Sequence, residues 1–133
     1  MIVVYGCGQM GSQLVQELVT RGEAVTMVDS DRMALEELSK HFEGHLVQGS
    51  GTDEGVLRMA GIEQAECFIA VSFDLNSNIM AAQIAKHLFG VRRVIARIEH
   101  PELASMYRAM GIEVVSPTLQ AAKHVGAMIA RVS

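Results

Sequence analysis

Cysteine is scarce in this chain of 133 residues. Cys7 and Cys67 are too few for a disulfide framework and have no companion ligands at metal-binding spacing, so neither a disulfide scaffold nor a metal site is expected. Long apolar runs are missing as well. Half of the residues are hydrophobic, yet no uninterrupted stretch approaches the roughly 20 residues of a membrane span, so direct membrane insertion is not expected. Basic residues are outnumbered, and the net charge of −4 argues against a nucleic-acid partner, because neutralising phosphates needs a basic face. Arg92-Arg93 is the only adjacent basic pair, which a solvated turn before a strand explains. No basic leader precedes the first apolar run, so a secretory signal is not expected either. Together these absences predict a cytoplasmic protein in reducing surroundings, a single domain long enough to bury a substantial core.

What the chain does have is alternation. Apolar runs near Ile2 to Tyr5, Ala24 to Val28, His45 to Gln48, Cys67 to Val71, Val94 to Ile98 and Glu113 to Val115 are separated by amphipathic helical patterns. That is the mark of an α/β fold with a parallel sheet covered on both faces. Leu14, Val15 and Leu18 form one buried stripe, Met33, Leu35 and Leu38 a second, and Ile79, Met80, Ile84 and Leu88 a third. Asp31, Thr52 or Asp53, and Asp74 are placed as N-caps, while Pro101 and Pro117 suit first helical turns. Gly22, Gly44, Gly61, Gly90 and Gly111 fall where a left-handed residue ends a helix. The short strand-to-strand spacing predicts a Rossmann-like, doubly wound sheet of six strands in the order 3-2-1-4-5-6. A last helix, from Ser116-Pro117-Thr118 to about Val132, lies beyond the completed sheet. It either folds back on its own sheet or contacts a partner. No linker, repeat or low-complexity segment interrupts the plan.

Gly6-Cys7-Gly8-Gln9-Met10-Gly11 stands between the first strand and the helical pattern that follows it. Gly6 allows the sharp turn off the strand, Gly8 lets backbone N–H groups approach a pyrophosphate, and Gly11 lets helix pack close to strand. The helix start faces such an anion with unpaired donors and a favourable dipole. Asp29, at the end of the second apolar run, completes the pattern of a dinucleotide fingerprint. It also argues against NADP, since a carboxylate repels a 2′-phosphate while a ribose hydroxyl donates to it. The strand order gathers this loop, Asp29, Gly49 to Asp53 and Val71 to Asp74 around one cleft. The expectation is a site for a nucleotide diphosphate, set against a glycine-rich turn with no ligand. Cys7 reads either as a thiol of lowered pKa at a helix N-terminus or as a small apolar filler.

At this point the sequence resembles one family, the TrkA-N or KTN nucleotide-binding domain found in regulators of potassium conductance (RCK). The resemblance is carried by the glycine loop, Val28-Asp29-Ser30-Asp31, Gly49-Ser50-Gly51-Thr52-Asp53 and Ala65-Glu66-Cys67-Phe68-Ile69-Ala70-Val71-Ser72. Asp74 with Asn78, Ile95-Ala96-Arg97-Ile98 and Gly111-Ile112-Glu113-Val114-Val115-Ser116-Pro117 complete it. It implies a cofactor-binding set. Gly6, Cys7, Gly8, Gln9, Met10 and Gly11 would lie on the diphosphate, Asp29 with Ser30 and Arg32 at the adenosine ribose, and Gly49 and Ser50 beside the adenine. Val71, Ser72, Asn78 and Arg97 would form the far side of the cleft. Several of these have a second reading: Arg32 as a helix-surface charge, Ser72 as a cap, Asn78 as a brace and Arg97 as the ion-pair partner of Glu99. Two departures stand out. Gln9 replaces an arginine that suits a terminal phosphate, and Ser50 replaces an aspartate that accepts from the adenine amino group.

The resemblance further implies a non-enzymatic, cytoplasmic sensor of NAD(H) or of AMP, ADP or ATP that controls a potassium channel or transporter. Such a domain would sit at the inner face of the membrane through its partner. It would form a homodimer or a ring of dimers, with residues 1–133 one N-type domain and 117–132 its crossover or dimerisation helix. The family's second, C-terminal regulatory domain has no counterpart here, which implies a truncated or minimal version. The alternative is a small NAD-dependent oxidoreductase, which needs a proton donor near the nicotinamide. Only His100, after the fifth strand, comes near the cleft. A third reading, an interaction subunit that has lost nucleotide binding, has the intact glycines and Asp29 against it.

Overall fold

The computed structural model describes residues 1–132. Strands β1 (Ile2–Tyr5), β2 (Val25–Asp29), β3 (His45–Gln48), β4 (Cys67–Ala70), β5 (Arg93–Arg97) and β6 (Glu113–Val115) alternate with helices along the chain. The helices are α1 (Gln9–Thr20), α2 (Arg32–Ser39), α3 (Glu54–Met59), α4 (Leu75–Gln83), α5 (Pro101–Ala109) and α6 (Pro117–Val132). The six strands form one sheet in the order β3-β2-β1-β4-β5-β6, every neighbouring pair parallel. This is the doubly wound order read from the sequence, with strand ends displaced by about one residue, as helix and strand ends commonly are.

Alternating strand residues feed two cores. Ile2 and Val4 of β1 face Val15 of α1 and Leu35 and Leu38 of α2. Val3 and Tyr5 face the other side, where Leu57, Ala81, Ala82, Ala85 and Ala104 from α3, α4, its continuation and α5 close the second layer. The chain therefore changes face between β3 and β4, and the crevice at that change lies over the carboxyl ends of β1 and β4.

Several local expectations are corrected. Met33 is 77% exposed, Met80 56% and Leu88 54%, so none of the three belongs to a core stripe. In α4 the sheet-facing positions are Asn78, Ala81 and Ala82, small enough to bring the helix close to β4 and β5. The larger apolar residues are pushed to its flanks. A π-helical turn, Ile84–Leu88, then shifts the face again. Gly22, Gly61, Gly90 and Gly111 do adopt positive φ, but Gly44 does not. It is required for space, since a Cβ there would run into Phe42 and the carbonyl of Val25.

α6 does not fold back on the sheet. From Thr118 to Arg131 every residue is exposed, including Leu119, Val125 and Met128. No described helix is long and apolar enough to cross a membrane.

Candidate functional site

Three strand ends meet at the crevice because their registers align: Tyr5 lies opposite Val28 on one side and Ala70 on the other. Beyond them the ladder continues through Gly6 N to Val28 O, Val71 N to Tyr5 O and Gly49 N to Asp29 O, at 3.0, 2.8 and 2.9 Å. Gly6 takes φ 119°, and a Cβ there would lie 2.5 Å from Ser72 N, so the loops after β1 and β4 touch backbone to backbone. A Cβ at Gly11 would overlap the carbonyl oxygen of Gly6, which is the close helix-to-strand contact the fingerprint requires.

The start of α1 differs from every other α-helix start among the described residues. Asp31, Asp53 and Asp74 cap α2, α3 and α4 with their carboxylates. His100 Nδ1 accepts from Leu103 N at the head of α5, and Glu99 Oε1 accepts from Thr118 N at the head of α6. α1 begins at Gly8 with no side-chain cap and no acidic residue in its first turn. Its leading N–H groups are thus left as donors for an external acceptor.

Asp29 stands across from this loop. One carboxylate oxygen accepts from Cys7 N at 2.6 Å and the other from Asp31 N at 2.7 Å. The acid thereby ties the glycine loop to the head of α2, and each oxygen keeps a lone pair for a further donor. Gln9 and Ser30 are exposed, and Met10 packs partly into the core beneath the loop. Arg32 is 76% exposed and paired with Glu36 at 3.0 Å, which is the helix-surface reading. Ser50 Oγ accepts from Thr52 N at 3.1 Å and lies 2.7 Å from the Thr52 hydroxyl, shaping the turn that also carries Gly49.

On the opposite wall Val71 is buried. Asn78, only 1% exposed, is fully engaged: Oδ1 accepts from the N–H and hydroxyl of Ser72, and Nδ2 donates to the carbonyls of Ser72 and Arg97. Of the two roles open for it, the structure builds the brace, with no group left over for a ligand. Ser72 Oγ also accepts from Asp74 N, so the hydroxyl shapes the entry to α4. Arg97 pairs with Glu99 at 2.7 Å and lays its guanidinium 5.4 Å from the ring centre of Phe73. Partial burial works against the charge of Glu99, but the hydrogen bonds from Thr118 and Arg97 outweigh it and bring its pKa down to about 2.

The lowered thiol pKa considered for Cys7 is corrected. Burial pushes it up and outweighs the lowering by a hydrogen bond with Ser12, and the charges of Asp29 and Asp31 push it further up. With 8% exposure Cys7 is a small filler under the loop. The sequence reading missed Phe73, whose ring lies on Gly8, and the part His100 plays as a cap. An aromatic residue between a strand end and an N-cap was the one available signal for the first.

Comparison with known proteins agrees with this architecture. Residues 2–117 match the TrkA-N domain family. The Trk system potassium uptake protein TrkA of Streptomyces coelicolor is 45% identical over 115 residues, covering 86% of this chain and 52% of that protein. The chain thus spans about half the length of that relative. The solved TrkA-N domain of the inner membrane protein ybaL from Escherichia coli superposes with a TM-score of 0.85 at 19% identity, covering 96% of this chain and 94% of that one. GsuK bound to ADP gives 0.84 at 24% identity, with 99% and 34% covered. The GsuK channel bound to NAD gives 0.73 at 22%, with 86% and 21% covered. On the family match and the TrkA relative, this chain belongs to the TrkA-N domain family.

Proposed function

We propose that this chain is a nucleotide-sensing regulatory domain that binds NAD(H) or an adenine nucleotide in the crevice over β1 and β4 and controls a potassium channel or transporter. The observation that carries the reading is the uncapped start of α1 facing Asp29: among the described residues five α-helix starts receive a side-chain acceptor, and the sixth, on the glycine loop, does not. Gly6, Cys7, Gly8, Gln9, Met10 and Gly11 would surround the diphosphate, Asp29 would accept from the ribose, and Gly49 and Ser50 would border the adenine. The TrkA relative is named for potassium uptake, and GsuK has been solved with ADP and with NAD, which supports both halves of the proposal.

Control would follow from differential affinity: a ligand shifts a two-state partner only by as much as it binds one state better than the other. We read the chain as non-catalytic, as a single nucleotide-binding domain, and as cytoplasmic, peripheral to the membrane through its transport partner. The exposed apolar residues of α6 support assembly into a homodimer or ring of dimers through that helix.

A thermal-shift panel with NAD, NADH, NADPH, AMP, ADP and ATP tests the nucleotide site. A ligand at about 100 times its Kd stabilises the native state by about 2.7 kcal/mol. We expect a shift with NADH or an adenine nucleotide that exceeds the shift with NADPH. No shift with any of the six would remove the reading.

A further inference from the structure

Phe73 sits in an unusual place for an exposed aromatic. The residue is 79% exposed, yet one edge of its ring rests on the glycine loop: a Cβ built on Gly8 would lie 2.6 Å from the ring carbon Cε2. The direction in which Gly8 lacks a side chain is the direction from which a diphosphate approaches the loop. In this structure that approach is filled by the phenyl ring.

The ring is held there from two sides. Its face receives the guanidinium of Arg97, with the centroid 5.4 Å away, and Arg97 is itself fixed by Glu99 at 2.7 Å. The backbone on either side is pinned, since Ser72 N donates to Asn78 Oδ1 and Asp74 N donates to Ser72 Oγ. The loop need not move for the ring to leave. Rotation about the side-chain bonds suffices, and a cavity of about 250 Å³ lined by Leu75, Arg97, Glu99 and His100 adjoins the ring.

We propose that Phe73 is a plug built into the cleft: seated on Gly8 it occupies the place of the diphosphate, and a nucleotide binds only when the ring turns away. This rests on the nucleotide reading of the site and adds a residue that sets its affinity. When a binding-competent state is only partly populated, the apparent Kd is the intrinsic value divided by the competent fraction. Were the ring seated about 90% of the time, it would weaken binding about tenfold, and removing it would recover that factor.

The test is calorimetric titration of the protein and of Phe73→Ala with ADP and with adenosine. ADP should bind the variant about tenfold more tightly, while adenosine, with no phosphate to place on Gly8, gains nothing. ADP affinity that is unchanged or reduced in the variant overturns the plug, as does an equal gain for adenosine. ADP bound by neither protein would instead overturn the nucleotide reading, and the plug with it. The chain contains no tryptophan, so Phe73→Trp supplies a single reporter. Its emission should change on saturation with ADP as the ring leaves the loop, and emission that does not change under saturating ADP overturns the proposal.

Discussion

A side chain added at Gly8 and one added at Gly11 meet very different neighbours, and the two glycines of one loop should fail differently. At Gly8 the obstacle is the far end of the Phe73 side chain, which can turn aside. Gly8→Val should therefore leave Tm within a few degrees of the parent while abolishing ADP binding, because the new methyls stand where the diphosphate would. At Gly11 the obstacle is the backbone carbonyl of Gly6, which is held in the sheet. Gly11→Ala should destabilise the fold by about 1–3 kcal/mol or more, the cost of overpacking a rigid contact, read as a lower Tm before any ligand is added. Asp29 works at the same scale. Its carboxylate accepts from two backbone N–H groups and has capacity for a ribose hydroxyl. Asp29→Ala should weaken ADP by roughly 10- to 100-fold, taking about 1.5–3 kcal/mol for a hydrogen bond to a charged group. Equal titrations for parent and variant would place the ribose elsewhere.

Among the elements, α6 depends on a residue outside itself. Glu99, just beyond β5, receives Thr118 N at 2.7 Å and the Ser116 hydroxyl at 3.4 Å, and pairs with Arg97. Its folded pKa of about 2 lies below the ordinary 4.5, so the folded state holds the proton less tightly than the unfolded one. The stabilisation is fully present above pH 4.5 and is lost as the pH falls toward about 2. Glu99→Gln should cost about 1 kcal/mol at neutral pH, a figure discounted for partial solvent screening. It should also flatten the loss of stability across that acid window, as followed by urea melts at several pH values. An unchanged acid limb would show that Glu99 is not held low by its partners.

Over the whole molecule, the sheet and its two helical layers are closed, and α6 stands apart from them with Leu119, Val125 and Met128 exposed. Between α5 and α6 lies a groove of about 470 Å³ lined in part by Ile98, Ala104, Leu119 and Ala122. If copies associate through α6, then Leu119→Lys with Val125→Lys should shift sedimentation from the oligomer to the monomer. Because neither side chain belongs to the core, the nucleotide-free melting profile of the α/β body should hold its cooperative shape. Sedimentation of parent and double variant as the same species would separate self-association from this helix.

The sequence alone determined the alternation of strand and helix, the order of the sheet, the glycine loop and the acid at the end of β2. These are legible because each depends on residues near one another in the chain: two-residue alternation in strands, short crossovers of one hand, and a turn whose glycines are fixed by local geometry. The caps at Asp31, Asp53 and Asp74 were readable for the same reason. Met33, Met80 and Leu88 were not, because apolar size marks a face without showing whether anything packs on it, and α4 gives its sheet-facing positions to Asn78, Ala81 and Ala82. Only the tertiary structure could set Phe73 on Gly8, Asn78 across from Arg97, and Glu99 at the head of α6. These pairs come from separate turns of chain that meet at one edge of the sheet, and their contacts are fixed by strand register in three dimensions rather than by spacing along the sequence.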